Sequence, residues 1–594
     1  MSDEDPQPTH PDPTSPLDWS EDGQPRSRLY GDVYFSAHDG LAETRAVFLD
    51  GCGLPAAWAG RRRFVVGELG FGTGLNVLAL LELWRRTRPD GGQLHILSIE
   101  AHPITARDAA RALAHWPELS DIVALLLARW PGQAPGWRRV DLPELSATLE
   151  VAVMDVEAAL AGWTAQADAW FLDGFAPALN PAMWRDEVLA LVAQRSAPGA
   201  RASTFTVAGQ VRRGLAAAGF TVEKKPGFGR KRERLEARLP GVAAESKTMP
   251  RVAIVGAGIA GAAAARAVRA LGGESLLIEA EAVGAGGSGN PAALVTPRLD
   301  AGLGPPAQLF AQAFRRAVWL YDGMAGAVIA RGVLQLPAQP RDAERFARIA
   351  ASGVFDPGTL DVAAPDGALA QHTALVVEPA TILAAWAPDM LRGNVGALHR
   401  EDGEWVLLDA DTHEIARADV VIVAAAMTST ALCAGLPLRP VRGQASFVED
   451  FPEAPDAVAW GGYLLPTRGG VLFGATHDRD DEGTDVRAAD HDRNLATLAG
   501  VRPALAARLA GEPLQGRASI RATTPDRLPI AGPAPDMEGV FILTGFGSRG
   551  FSLAPLLAEH VAALALNAPS PLPAPLAELV DPDRFRRRAL RRGS

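Results

Sequence analysis

"RVAIVGAGIAGAAAARAVRALGGESLLIEA", residues 251–280, is the stretch whose reading decides the fold. It opens on a short β-branched and apolar run, which reads as a buried strand. A G-x-G-x-x-G turn follows, with Gly256, Gly258 and Gly261, and then an alanine-rich helix. A second apolar run, "SLLIE", closes on Glu279. Strand, glycine turn, helix and acidic strand end together form a dinucleotide-binding βαβ fingerprint. The pyrophosphate is expected on the amides at the helix N-terminus, and Glu279 is placed to accept from ribose hydroxyls.

A second glycine loop lies upstream. "RFVVGELGFGTGLNVLALLELW", residues 63–84, again runs from strand through glycines into helix. Its spacing is ExGxGxG, with Glu68, Gly70, Gly72 and Gly74. Further strands are expected at 94–100, 149–155 and 167–175, and helices at 185–196 and 209–219. That alternation predicts an α/β fold with a mostly parallel sheet, its ligands beyond the carboxyl ends of the strands. Glu100 and Asp155 end two of these strands, where they can meet a ribose and an adenine amino group. The arrangement resembles the Rossmann-like methyltransferases that use S-adenosyl-L-methionine. Glu68, Gly70, Gly72, Gly74, Glu100 and Asp155 are the expected contacts of that methyl donor.

"WFLDGFAPALNPAMW", residues 170–184, ends a strand on Asp173 and breaks into a proline-stiffened loop. The carboxylate falls at the same sheet edge as the glycine loop. An amine that accepts a methyl group must shed a proton, and a carboxylate there can take it or orient the amine. The plainer alternative is a cap of the next helix or turn. Trp170, Phe175 and Trp184 offer stacking surface for a base.

Two later stretches point to FAD rather than NAD. "GAGGSGNPAALVTP", residues 284–297, carries Ser288 and Gly289 just after the Glu279 strand. "GVFILTGFGSRGFSLAPLLAEHVAALAL", residues 539–566, reads as strand, glycine loop and helix, with Gly545, Gly547, Ser548, Arg549 and Gly550 in the loop. Such a loop suits amides meeting a flavin ring, the helix N-terminus favouring charge on the reduced ring. These pieces resemble the FAD-dependent oxidases of the D-amino-acid oxidase and glycine oxidase type. That resemblance implies that Arg521, ahead of Thr524, Asp526, Pro529 and Gly532, clamps a substrate carboxylate; a structural ion pair is the alternative. An FAD-binding Rossmann-type domain with an interleaved α+β substrate domain is expected.

The chain has 594 residues and a net charge of −11, with 48% hydrophobic and 21% charged residues. That balance argues against nucleic-acid binding by charge everywhere, while allowing local basic patches. Two cysteines and no CxxC or HExxH pattern suggest no disulfide framework, no metal site and a reducing compartment. The start is acidic and proline-rich and reads as a short tail rather than a signal peptide. The apolar run at 420–438 reads as strand, loop and short helix rather than a membrane span. Boundaries follow: a disordered tail over 1–16, a methyltransferase domain over 17–240, a linker over 241–250, an oxidoreductase domain over 251–568, and a basic tail over 569–594.

Together with "GDVYFS…GLAETRAVFL" (31–49), "PGFGRKRERL" (226–235) and "LTGFGSRG" (543–550), these motifs make the chain resemble the bifunctional tRNA 5-methylaminomethyl-2-thiouridine biosynthesis proteins. The resemblance covers most of the chain, in the family's order. It implies a tRNA substrate modified at the wobble uridine, with FAD-dependent loss of a carboxymethyl group followed by methylation of the freed amine. It implies Asp173 and Arg521 as catalytic residues and Arg230, Lys231 and Arg232 as contacts of the tRNA. A cytoplasmic monomer with no membrane partner is expected. Leu179 stands where the family usually has a lysine. Two other readings stand beside this one: an oxidase–methyltransferase acting on free amino acids, and a non-enzymatic flavin- and nucleoside-binding scaffold.

Overall fold

The structure, a computed structural model, describes residues 15–21, 23–36, 39–229, 231–242, 248–363, 366–453 and 455–593. The chain divides into two compact units, Met1–Lys247 and Thr248–Ser594. Most of the expected tail at 1–16 and residues 243–247 of the expected linker lie outside the described residues.

The first unit is built on an eight-stranded sheet. Arg63–Leu69 sits inside it, parallel to Gln93–Glu100 on one side and Ala167–Leu172 on the other. Ala147–Val153 and Ser196–Thr204 extend the parallel core, and antiparallel strands close both edges. The central strands are buried along nearly every residue, as a sheet covered on both faces requires, and they take the polar Glu68, His95, Ser98 and Glu150 inside with them. Because the core strands are parallel, Leu69, Glu100, Val153 and Leu172 all end at one edge. Trp170 and Trp184 are fully buried in the layer beneath that edge. They therefore do not offer the stacking surface expected of them: the Trp170 indole donates to Ser196 Oγ at 2.9 Å and the Trp184 indole to the Phe175 carbonyl at 2.9 Å.

The second unit carries two larger sheets. A six-stranded sheet takes its strands from Val252–Val255, Ser275–Glu279, Leu391–Arg392, Val420–Val423, Ile530–Pro533 and Val540–Thr544. All its pairings are parallel except that between the last two strands. A ten-stranded sheet draws on segments between Ala293 and Thr523. The chain thus passes repeatedly between the two sheets, giving the expected Rossmann-type domain with an interleaved α+β domain. The helix Ile259–Ala270 and the helix Gly550–Ala565 pack against each other at the heart of this unit. Among the described residues no helix is long and apolar enough to cross a membrane.

The segment expected as a basic tail after 568 is part of the fold. Ala574–Val580 is a helix whose Leu576 and Val580 join the core, together with Leu572. Arg584 is only 3% exposed and pairs with Asp526 at 3.0 Å while donating to the Leu528 carbonyl at 2.8 Å. Arg588 pairs with Asp526, Arg587 with Asp581, and Arg586 with Asp536. Asp526 and Asp536 come from distant sequence, while Asp581 lies in the same segment, so the basic run is not a free charge tail.

Ending the chain at residue 568 should therefore destabilise the second unit, since burying each lost aliphatic side chain is worth roughly 1.5–3 kcal/mol. Thermal unfolding checks this. The single change Leu576→Ala should lower the unit's stability by about 2–5 kcal/mol, and a melting curve like that of the intact protein would show that the segment is a tail after all.

Candidate active sites

The first site forms where Arg63–Leu69 turns into the helix Leu75–Thr87. Gly70 has φ +92°, and a Cβ there would lie 2.0 Å from the Asp173 carbonyl oxygen. Only glycine lets the two strand ends come this close. Asp173 N–H in turn donates to the Leu69 carbonyl at 3.1 Å. Gly70 and Phe71 N–H both donate to the Ile99 carbonyl, which seats the loop on the neighbouring strand. Gly72 and Gly74 also have positive φ, so the turn presents its backbone rather than side chains.

The acidic strand ends converge on this loop. Glu100 accepts from Gly72 N–H at 3.0 Å and from His102 N–H at 2.8 Å. Asp155 accepts from Glu157 and Ala158 N–H and caps the helix Val156–Gly162. The capping role weighed for Asp173 thus belongs to Asp155. Tyr30 is held near Glu100 and Asp155; its hydroxyl pKa is raised by burial and by those two carboxylates.

Glu68 is 1% exposed and lies under the loop. One of its oxygens accepts from Ser98 Oγ, and the other, Oε1, has no partner among the described residues. Burial pushes its carboxyl up to about 8, with the neighbouring Asp173 adding to the shift. An orphaned acceptor below a side-chain-free loop, flanked by Glu100, fits a ligand that carries both an amino group and a ribose.

Asp173 is half-buried and caps no helix. Its Oδ2 accepts from Asn76 Nδ2 at 2.7 Å, and Asn76 Oδ1 accepts from Thr44 Oγ1 at 2.7 Å. Burial raises the Asp173 carboxyl to about 7; the Asn76 hydrogen bond and Lys231 oppose that rise, and Glu43 and Asp32 reinforce it. Such a carboxyl sits near neutrality, where proton acceptance is most effective. Asn76 and Thr44 are functional neighbours that sequence reasoning missed. Asn76 sits in the quoted stretch, two residues past Gly74, in the first turn of the helix.

A wall of aromatic residues stands over the loop. Phe175 packs against Tyr30 with ring centroids 5.0 Å apart and edge-on against Tyr34 at 5.2 Å. Asp32 accepts from Ala176 N–H at 3.0 Å and ties this wall to the Asp173 loop. Of the three aromatics expected to stack a base, only Phe175 lies at the surface. Tyr30 and Tyr34 were not foreseen, because they come from the chain start and reach the site only by folding.

Lys231 is close to the site but occupied. Its ammonium pairs with Glu43 at 2.8 Å and lies over the Phe205 ring at 4.0 Å. Arg232 is exposed, and Arg230 lies outside the described residues. Leu179 is 47% exposed.

The second site forms at the start of the helix Ile259–Ala270. Gly256 has φ +103°, and a Cβ on Gly261 would lie 1.7 Å from the Gly256 carbonyl oxygen. Gly258 precedes the helix, and Ile259 N–H donates to Ser288 Oγ at 3.0 Å. Glu279 accepts from Ala257 N–H at 2.7 Å, on the lip of the same turn. Gly289 sits against Gly284 and Arg517. Arg517, also missed by sequence, donates to the carbonyls of Gly284, Ala285 and Gly286 and pins this loop.

Gly545 and Gly547 turn the chain with φ of +77° and +57°. A Cβ on Gly550 would lie 2.9 Å from Ile259, so two helix N-termini meet at one place. Both present positive dipole ends, and in the first of them the Ile259 amide is already taken by Ser288. A backbone cradle with no Cβ to fill it, backed by two such ends, fits the pyrophosphate and anionic ring of FAD. Ser548 is exposed, and Arg549 is half-buried, donating to the Pro297 carbonyl at 3.5 Å.

Arg521 lies on the strand Gln515–Thr523, with its guanidinium over Gly443 and donating to the Thr476 carbonyl at 3.1 Å. It has no ion-pair partner among the described residues, so the structural ion pair weighed for it does not form. Burial lowers its pKa from the ordinary arginine value. Tyr463 lies nearby, its hydroxyl raised by burial and drawn down by Arg521.

Known proteins bear on these two sites. A family profile described as S-adenosyl-L-methionine-dependent methyltransferase matches residues 117–240, and one described as FAD dependent oxidoreductase matches residues 251–564. A Caulobacter sp. (strain K31) protein named tRNA 5-methylaminomethyl-2-thiouridine biosynthesis bifunctional protein MnmC is 59% identical, covering 97% of this chain and 98% of its own. The protein of the same name from Caulobacter vibrioides is 60% identical over the same shares. The crystal structure of glycine oxidase from Geobacillus kaustophilus matches 56% of this chain and 98% of its own, at 23% identity and a TM-score of 0.47. On the identity and coverage of these relatives, the chain belongs to the family of bifunctional tRNA 5-methylaminomethyl-2-thiouridine biosynthesis proteins.

Proposed function

We propose that the chain modifies the wobble uridine of tRNA in two steps, one in each unit. The observation that carries this is the pairing, on one chain, of a near-neutral carboxyl at a methyl-donor loop with a carboxylate-free arginine in an FAD unit. When bound, FAD supplies a two-electron acceptor and S-adenosyl-L-methionine supplies an electrophilic methyl group.

In the second unit, Gly256, Gly258, Gly261, Glu279, Ser288 and Gly289 would hold the dinucleotide, and Gly545, Gly547, Ser548, Arg549 and Gly550 the ring. Arg521 binds the carboxylate of the 5-carboxymethylaminomethyl side chain through its planar fork. Hydride loss from the carbon beside that carboxylate, with proton loss from nitrogen, leaves an imine. Water cleaves the imine to glyoxylate and a primary amine on the nucleoside.

In the first unit, Gly70, Gly72, Gly74, Glu68, Glu100 and Asp155 would hold the methyl donor. Asp173 accepts the proton that the amine loses as its nitrogen takes the methyl group. Asn76, held by Thr44, fixes the carboxylate's orientation. Phe175, with Tyr30 and Tyr34 behind it, offers the apolar face for the base. The proposed setting is the cytoplasm, and the proposed state a monomer.

Asp173→Ala should cut methylation on the order of 10²–10⁴-fold and leave carboxymethyl removal intact; mass spectrometry of the wobble nucleoside reads both, and surviving methylation would make Asp173 structural. The methyl step should rise with pH through about 7 as the Asp173 carboxyl loses its proton. Asn76→Ala removes a hydrogen bond that favours the carboxylate, so the inflection should move to higher pH. An unmoved inflection would show that Asn76 does not act on Asp173. Arg521→Ala should stall the carboxymethyl substrate while an already free amine is still methylated, whereas loss of both steps would assign Arg521 to folding.

A further inference from the structure

The strand Arg439–Val448 runs antiparallel to the strand that carries Arg521. In that register Val441 stands opposite Arg521, and Gly443 stands opposite Ser519. Residues two apart along a strand share a face, so Arg521 reaches Gly443 along the diagonal. Its guanidinium fills the space where a side chain at 443 would stand. The three atoms nearest to a Cβ built on Gly443 are Arg521 Cζ, Nη1 and Nη2, and that Cβ would overlap all of them. Nη1 donates to the Thr476 carbonyl at 3.1 Å. The guanidinium thus has a floor at Gly443 and a wall at Thr476.

Backbone conformation does not call for glycine at this position. Gly443 lies outside the left-handed region, and it is buried in the interior of a strand, where glycine is a weak choice. The strand is also held from behind. On the opposite face the buried Arg442 pairs with Asp490 at 2.6 Å, and the Gln444 carbonyl accepts from Asn494 Nδ2 at 3.0 Å. Floor and wall are tied to each other: Gln444 N–H donates to Thr476 Oγ1 at 2.9 Å, and Thr476 N–H donates to the Gln444 carbonyl at 3.1 Å. The part free to give way is the guanidinium, the far end of a flexible side chain. A Cβ at 443 would therefore lift it off the Thr476 carbonyl and leave the strand in place.

We infer that Gly443 is a positioning residue of the oxidoreductase step: its missing side chain is the slot that holds the Arg521 guanidinium, and the slot fixes where the substrate carboxylate is gripped. This rests on the reading of Arg521 as the carboxylate clamp. A planar guanidinium laid on backbone and tied at Nη1 keeps its remaining donors in a fixed fork, the geometry with which a carboxylate pairs. A guanidinium free to swing would offer the same charge without that fork.

The test gives the flavin-loaded full chain two probes. One is tRNA bearing the carboxymethylaminomethyl group. The other is methoxyacetate, which keeps the carboxymethyl group but carries an ether oxygen in place of the amine; its binding is read from the flavin absorbance. Gly443→Ala should raise KM for the tRNA and Kd for methoxyacetate roughly 10–100-fold, the size of a hydrogen bond to a charged group. The loss should fall in KM rather than kcat. Melting temperature and methylation of an already free amine should match wild type. In an Arg521→Lys background, where the slimmer ammonium leaves room for a Cβ, adding Gly443→Ala should cost far less. An equal penalty in both backgrounds, unchanged affinities, or a lowered melting temperature overturns the slot. Methoxyacetate binding that survives Arg521→Ala overturns the clamp itself, and the slot with it. A wild-type protein that leaves modified tRNA unchanged yet binds methoxyacetate through Arg521 contradicts the tRNA substrate alone, and the methoxyacetate affinities still decide the slot.

Discussion

Both sites depend on one steric constraint: a strand end must pass within contact distance of another backbone. At Gly70 the neighbour is the Asp173 carbonyl, and at Gly261 it is the carbonyl of Gly256. A methyl group at either place would collide with backbone, which cannot swing aside as a side chain can. The approach does two things at once. It leaves a loop without side chains at each strand end, and in the first unit it fixes Asp173 beside that loop. The carboxylate's position is therefore a property of the sheet rather than of a mobile loop.

Electrostatics follows from that placement. Asp173, Glu68 and Glu100 crowd a small, half-dry region, and burial lifts the first two toward neutrality. Burial is the largest cause of both shifts, so the same partial dryness that raises Glu68 raises Asp173. In the second unit Arg521 is half-buried with no ion-pair partner among the described residues.

What was legible in the sequence was local. Both glycine loops, their strands and helices, and the acidic strand ends Glu100 and Glu279 lie where spacing put them, while Asp155 stands two residues past its strand and caps the next helix. Asp173 was found because a strand stopping on a carboxylate before prolines is unusual. What was not legible needed contacts between distant segments. Tyr30 and Tyr34 reach the first site from the chain start, and Arg517 pins a loop more than two hundred residues away. Trp170 and Trp184 look like binding aromatics in a list but fill the core. The arginines after 568 look like a free charge run until Asp526, Asp536 and Asp581 are found opposite them. Lys231 looks free until Glu43 is seen beside it.

The most direct measurement is mass spectrometry of the wobble nucleoside after the flavin-loaded protein meets tRNA bearing the carboxymethylaminomethyl group, with and without S-adenosyl-L-methionine. The account predicts the primary amine without the methyl donor and the methylamine with it. An unchanged nucleoside in both, from a protein that still oxidises a free amino acid, would contradict it.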